Sequence, residues 1–495
     1  MIMSPPPLLA AASTWLTPLW LLAAGAAIGV AILAIAYGLM WLVSRDASAQ
    51  VAGAVGGGIL LPIGYVAVVM TVLMLVGSMY VPYRQFADSL ARLPSVGEIS
   101  REVTVPPRTV DHPVQVSFYS NELGAYRFAG NQDVVIATQP LQGEGGATML
   151  LAGGEPVQWN RGSGRASGFE GPVTTLYVTN NSDAQATLEV DLATQVPYPE
   201  VIAVPITAAS LVGLFAVYLG LYFAFPKLSA IATTTAKEAI SQPIYYLALG
   251  LGACLLIAFV YIPYNTFGED VKMLESSALS LILVLSIVVA VWTASVSVSD
   301  EIEGRTALTL LSKPIGRRQF VLGKFLGIIW PTVLLFVLLG LLLMGIVSYK
   351  VVFEAHEAAS EEPAWQQCFA EMVRIVPALV LYLMEAIVLV AVSVAISTRL
   401  PMLPNLIICS SLYVLGHLVP TIVQSQAGQF EIVAFIGRLL ATLIPVLDHF
   451  NVEAAVSGGN VVPLAYLPWA LAYCVLYSTI AMLLALAMFE DRDLA

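Results

Sequence analysis

The chain has 495 residues, of which 58% are hydrophobic and 11% charged, and its mean hydropathy is +0.83. Soluble globular chains carry about a quarter charged residues, so one large soluble core is excluded. The net charge of −12, with no basic stripe to neutralise phosphates, argues against a nucleic-acid partner.

The chain opens with Met1 to Ala10, which lacks the positive n-region of a secretory signal. The apolar run that follows continues to about Val43 and meets Arg45, a pattern that favours a retained anchor over a cleaved peptide. Stretches of about 20 apolar residues, long enough to cross a bilayer, recur from there on. Nine crossings are predicted, over 15–43, 57–80, 200–225, 243–263, 277–298, 325–348, 373–397, 405–423 and 465–488.

Between the second and third crossings lies a polar segment, residues 84–199. Short runs of alternating residues, VQVSFYS, DVVIATQ, TTLYVTNNS and ATLEVDLAT, are separated there by Gly, Asn and Asp clusters. Period-2 runs punctuated by turn residues predict an all-β sandwich-like domain. The predicted fold is thus mainly α: a polytopic α-helical membrane protein with about nine spans and an inserted extracytoplasmic β domain. Its parts are a two-span N-terminal membrane anchor (1–83), the β domain (84–199), a third span (200–225) and a six-span unit (226–495).

Lysine and arginine placement sets the orientation. No lysine precedes Lys227, and the densest basic cluster, Arg305, Lys313, Arg317, Arg318 and Lys324, lies in one loop. Placing that loop in the cytoplasm also places Arg45, Lys227, Lys237, Arg399 and Arg492 there, with the N-terminus outside and the C-terminus inside. The acidic loop Glu354 to Glu371 then falls outside. Lys272, Lys350, Arg374 and Arg438 are isolated exceptions. Cys254, Cys409 and Cys474 lie in apolar spans and Cys368 in a loop. Without a CxxC pair, and with four scattered histidines, neither a disulfide framework nor a metal site is signalled.

The most informative stretch is SDEIEGRTALTLLSKPIGRRQFVLGKFLG, Ser299 to Gly327. Asp300, Glu301 and Glu303 suit a helix N-terminal turn. Ala307, Leu308, Leu310 and Leu311 make a short apolar face, Pro314 and Gly316 break it, and Arg317 and Arg318 anchor the returning helix. A basic inner loop would satisfy the topology rule alone. The ordered acid, apolar and basic pattern favours a coupling helix that docks on a partner ATPase.

The run Glu301 to Lys324, E-x-E-G-R-T-x-x-x-L-L-S-K-P-x-x-R-x-x-x-x-x-G-K, resembles the coupling-loop signature of the ABC-2 type permease family, membrane subunits of ABC exporters. The permeases of nitrous oxide reductase maturation are a similar subgroup. Lys227 to Gln242 resembles the family's amphipathic elbow helix, and Phe489 to Ala495 (FEDRDLA) its charged C-terminal ending. Phe430 to Phe450, apolar but broken by Gly437, Arg438, Pro445 and Asp448, suits the family's re-entrant outer segment. The resemblance covers about residues 226–495 and implies that Glu301, Glu303, Arg305, Leu310, Lys313, Arg317, Arg318 and Lys324 couple to an ATPase. It does not reach the β domain.

GRRQFVLGKF, Gly316 to Phe325, has the wrong glycine spacing for a Walker A loop, and no Ser or Thr follows Lys324. The chain is therefore expected to be non-catalytic and to bind no cofactor, with ATP and Mg held by a separate ABC ATPase subunit. The other expected partners are membrane lipids and a second permease, identical or different. A bacterial-type cytoplasmic membrane is the expected location.

Two polar residues interrupt apolar spans at similar depth: Glu385 in LYLMEAIVLV and His417 in SLYVLGHLVP. A lone charge at the bilayer centre costs about 2.5–3.5 kcal/mol, so a Glu385–His417 hydrogen bond is expected, either joining two helices or serving a transport path. The competing reading of the whole chain is a non-transporting scaffold or sensor that displays the β domain.

Overall fold

The computed structural model describes residues 7–57, 59–140, 148–161, 167–169, 171–262, 264, 269–301, 316–358, 360–424, 432, 435–437, 439, 444–452, 455, 458 and 462–490. These fall into two compact units, Met1–Val81 with Ile206–Ala495, and Pro82–Pro205.

The first unit is helical. Its helices are α1 (Pro7–Val43), α2 (Arg45–Gly56), α3 (Leu61–Gly77), and, after the β domain, α5 (Ala203–Ala224), α6 (Pro226–Ser241), α7 (Pro243–Val260) and α8 (Asp270–Ala294). A π-turn, Ser295–Asp300, extends α8. Then come α9 (Arg317–Glu357), α10 (Trp365–Arg374), α11 (Val376–Ser397), α12 (Met402–Gln424) and α13 (Tyr466–Glu490).

Eight helices among the described residues are long and apolar enough to cross a membrane, or nine if the bent pair α2–α3 counts as one span. The predicted second span, 57–80, contains α3, and α2 lies before it at 91° to α3; α3 with 17 residues is about 26 Å long at 1.5 Å per residue. Ser44 Oγ caps α2 by accepting from the Ala47 amide at 3.2 Å. Several helices also outrun their apolar windows. α9 reaches from Arg317 to Glu357, because charged residues at a span's ends are as good helix formers as apolar ones. Cys368, expected in a loop, lies buried on α10 with Met372: one face of that short helix is apolar although the segment as a whole is polar.

The N-terminal helices pack into the same unit as the C-terminal ones. Trp20 Nε1 donates to Met74 O at 3.0 Å and Ser78 Oγ at 3.1 Å, joining α1 to α3. Ser348 Oγ on α9 donates to Trp15 O at 2.7 Å, and Trp330 Nε1 donates to Ile59 O at 3.2 Å. The main core gathers buried side chains of α7, α8, α9, α11 and α13, including Leu256, Leu279, Leu339 and Leu389.

The second unit begins with the amphipathic helix α4 (Tyr83–Arg92) and continues as eight strands: β1 (Glu98–Val105), β2 (Thr109–Tyr119), β3 (Leu123–Gly130), β4 (Val134–Ala137), β5 (Thr148–Leu151), β6 (Val157–Asn160), β7 (Pro172–Asn180) and β8 (Ala186–Thr194). They form two four-stranded sheets, β1-β8-β3-β6 and β2-β7-β4-β5, and every pairing is antiparallel. Within this order β1 pairs β8, β2 pairs β7, β3 pairs β6 and β4 pairs β5. That is the nested pairing of a jelly roll, a chain doubled on itself and rolled into two layers. Alternate residues of β8, Ala186, Leu188, Val190 and Leu192, are buried in a core with Phe128, Leu176 and Val178. Glu98 lies opposite Ala193, so the domain's entry and exit strands are neighbours.

Candidate functional site

The described residues stop at Glu301 and resume at Gly316; of the predicted coupling residues, Glu303, Arg305, Leu310 and Lys313 lie outside them. Both flanks are built in detail. Lys324 Nζ donates to Glu301 Oε1 at 2.6 Å, with 4% of the lysine side chain and 21% of the glutamate exposed. The segment thus returns to the point where it left the bundle, and Lys324 serves as an internal tie. Lys324 also lies 5.7 Å from the centre of the Phe320 ring, which stacks on Phe489 at 5.6 Å. Arg317 and Arg318 are exposed at the start of α9, and Arg317 Nη1 donates to Glu490 O at 2.8 Å. The Gly316 amide donates to Gln319 Oε1 at 3.2 Å, satisfying a free donor at the helix start.

The predicted elbow, α6, packs on the first turns of α9 through Gly323 and Gly327. A Cβ on Gly323 would stand 2.7 Å from Ile231 Cβ, and one on Gly327 2.6 Å from Thr235 Cβ and 2.8 Å from Ala232 O. Two glycines four residues apart let helix backbones approach closely where no water drives association. The elbow and the returning helix are therefore one packed element.

At the same end of the bundle lies a polar node that sequence reading missed. Asn405 Nδ2 is within hydrogen-bond distance of Ser295 Oγ (2.9 Å), Ser393 Oγ (2.9 Å) and Ser397 Oγ (2.8 Å), and Cys409 Sγ donates to Asn405 Oδ1 at 3.3 Å. All five residues are buried. Ser299 Oγ donates to Leu400 O at 3.2 Å. The π-turn that leads into the coupling segment is thereby fixed to α11 and α12. π-turns inside helices concentrate at functional sites. The signal in the sequence was polar residues at a spacing of four on facing spans, Ser393/Ser397 and Asn405/Cys409.

The opposite end accounts for most exceptions to the charge rule. Arg374 Nη2 pairs with Glu275 Oε2 at 2.9 Å and with Glu371. Lys350 Nζ donates to Val260 O at 3.1 Å and lies 3.8 Å from Glu357. Lys272 pairs with Glu269 at 2.9 Å. Glu354 accepts from the Asp270 and Val271 amides at 3.4 and 3.3 Å, a carboxylate at the positive end of α8. Arg438 lies outside the described residues.

Midway, the structure brings Glu385 on α11 and His417 on α12 together, with Nε2 3.5 Å from Oε1. His417 Nδ1 lies 3.0 Å from Tyr413 O. Of the predicted re-entrant segment 430–450, part lies outside the described residues. Leu447–Phe450 forms a 3-10 turn packed against Gly416, where a Cβ would stand 2.8 Å from Leu447 Cγ.

In the β domain, a trough of about 1050 Å³ opens on the outer face of the β1-β8-β3-β6 sheet. Ser100, Asp191, Arg127 and Gln158 form one row across its four strands, and Glu98, Ala193, Ala125 and Asn160 the next. Ser100 Oγ donates to Asp191 Oδ1 at 2.6 Å.

A bundle in which eight helices among the described residues are long and apolar enough to cross a bilayer defines a multi-pass membrane protein. Residues 255–494 match the family described as ABC-2 family transporter protein, which supports an ABC-2 type permease. The match supports a permease of an ABC transporter, and the apolar helices with it support a multi-pass membrane protein. No curated protein matches the chain.

Proposed function

We propose that this chain couples ATP hydrolysis on a separate ATPase subunit to movement of a substrate out of the cell, with Glu301 to Lys324 as the docking segment. The observation that carries this reading is the Glu301–Lys324 ion pair. It closes the base of the segment, so that a push on the segment is delivered to α8 and α9 together. Arg317 and Arg318, exposed beside it, are the charges offered to the partner. ATP and Mg stay on the ATPase, and this chain contributes no catalytic group. Two permease chains, identical or different, surrounded by lipid in a bacterial-type cytoplasmic membrane, complete the transporter. In this reading the N-terminus and the β domain face outside and the C-terminus faces the cytoplasm.

Reconstitution with the ATPase tests the coupling role. Replacing Arg317 and Arg318 together by Glu is expected to weaken ATPase association and cut stimulation at least tenfold; unchanged association and stimulation would sink the assignment. Orientation is tested by labelling single cysteines in a background stripped of the four native ones. Ser182→Cys should react with an impermeant reagent in intact cells, and Arg318→Cys only after permeabilisation.

A non-transporting scaffold or sensor is the second reading, favoured by the β domain's own core and open polar trough. It predicts that deleting residues 82–205 leaves ATPase stimulation intact while abolishing the biological output.

A further inference from the structure

We propose that Glu385 and His417 form an intramembrane binding site for one proton, filled and emptied through His417. The inference goes beyond the coupling function and does not depend on it.

Glu385 is fully buried, and neither carboxylate oxygen has a hydrogen-bond partner among the described residues. Among the described residues, His417 Nε2 lies 3.5 Å from Glu385 Oε1. An imidazole with Nδ1 3.0 Å from a backbone carbonyl oxygen donates its Nδ1 proton there, which leaves Nε2 as an acceptor unless the ring is doubly protonated. Two arrangements then join the pair: a neutral carboxyl that donates to Nε2, or an imidazolium that donates to the carboxylate. Both hold one proton between Oε1 and Nε2, and both leave the pair with no net charge. Without that proton, a bare carboxylate would face a lone pair inside the hydrocarbon.

Among the described residues, the other elements packed on α11 supply no compensating charge at this depth. On α8 the charged residues are Asp270, Lys272 and Glu275, at the end paired with Arg374. On α9, Lys324 and Lys350 lie toward opposite ends and are already paired. α10 ends in Glu371 and Arg374, which pair with each other. α12 carries His417 alone, and the 3-10 turn after it exposes Asp448 and His449. On α13, Cys474 Sγ donates to Met384 O at 3.4 Å, and the charged residue there is the terminal Glu490.

Ser286 on α8 stands at the level of Glu385 along the bundle. The Glu275–Arg374 pair at one end and the bridge from Ser295 through Asn405 to Ser393 and Ser397 at the other make α8 and α11 run parallel and in step. Ser286 lies as far along α8 from Glu275 as Glu385 lies beyond Arg374, so the two share a level. Ser286 Oγ is buried and has no hydrogen-bond partner among the described residues. The described cavities do not reach Glu385, so the ligand that fits this packed place is a proton. His417 is the way in, since 24% of its side chain is exposed while Glu385 is sealed.

The test is infrared and nitrogen-15 histidine NMR spectroscopy of the whole chain reconstituted in lipid at neutral pH. Wild type is expected to show either a protonated-carboxyl stretch that Glu385→Gln removes, or an imidazolium signal that His417→Asn removes and Glu385→Gln diminishes. A wild type with neither signature would overturn the proposal. Glu385→Gln is isosteric and keeps the helix packing. His417→Asn tests the entry role: exchange of the site's proton for deuterium should slow at least tenfold, and an unchanged rate would reject His417 as the route.

Discussion

Lys324 places an ammonium group among apolar side chains of α9, and among the described residues Glu301 is its acidic partner. Removing one member of a buried pair strands the other. Lys324→Ala is therefore expected to lower the stability of the detergent-solubilised chain by about 3 kcal/mol, read as a lower unfolding midpoint. Replacing both Lys324 and Glu301 by Met should restore most of it, because no buried charge is then left alone. If the single variant is as stable as wild type, the pair is not the tie described above. Asn405 holds three serine hydroxyls at once. Hydrogen bonds between membrane helices average about 0.6 kcal/mol each, so Asn405→Leu should cost about 2 kcal/mol. Under the coupling reading it should also reduce ATPase stimulation more than ATPase binding, since Asn405 lies inside the bundle and the docking charges are untouched.

Among the elements, the elbow and the returning helix depend on two glycines for their contact. Gly327→Ala puts a methyl group 2.6 Å from Thr235 Cβ and 2.8 Å from a backbone oxygen, and a backbone cannot swing aside as a side chain can. A loss of about 1–3 kcal/mol is expected. Gly250→Ala on α7 is the control: open space surrounds that position, and alanine's better helix propensity should stabilise by up to about 1 kcal/mol. Thermal unfolding of the two variants in the same detergent should give shifts of opposite sign. Equal shifts would mean that α6 is not held by this contact.

For the molecule as a whole, the jelly roll has a core of its own and adjacent entry and exit strands. Residues 82–205 expressed alone should unfold in one cooperative transition. Phe128→Ala, at the centre of that core, should cost about 3–5 kcal/mol there; a gradual, non-cooperative melt would show that the domain needs the membrane part. Since β1 must find β8 across the whole domain, folding is expected to be slow compared with the formation of local hairpins.

The sequence alone determined that the chain is a membrane protein, where its apolar spans lie, that a strand-rich domain interrupts them, and which segment resembles a coupling loop. The first three depend on composition, periodicity and charge placement, which are properties of neighbouring residues, and the last on resemblance to a family signature. The tertiary structure decided what depends on distant partners. It gave Lys350 and Arg374 their acidic mates, buried Cys368 on a helix and set a separate helix, α2, at 91° before the second span. It also gathered Asn405 with serines from other helices and set the jelly-roll order of strands. Of the predicted coupling residues, the sequence marked Glu301 and Lys324 as charged, but only the fold turned them toward each other. A bilayer interior offers a polar group no water, so its meaning is fixed by whichever helix stands opposite, and a linear chain does not record that neighbour.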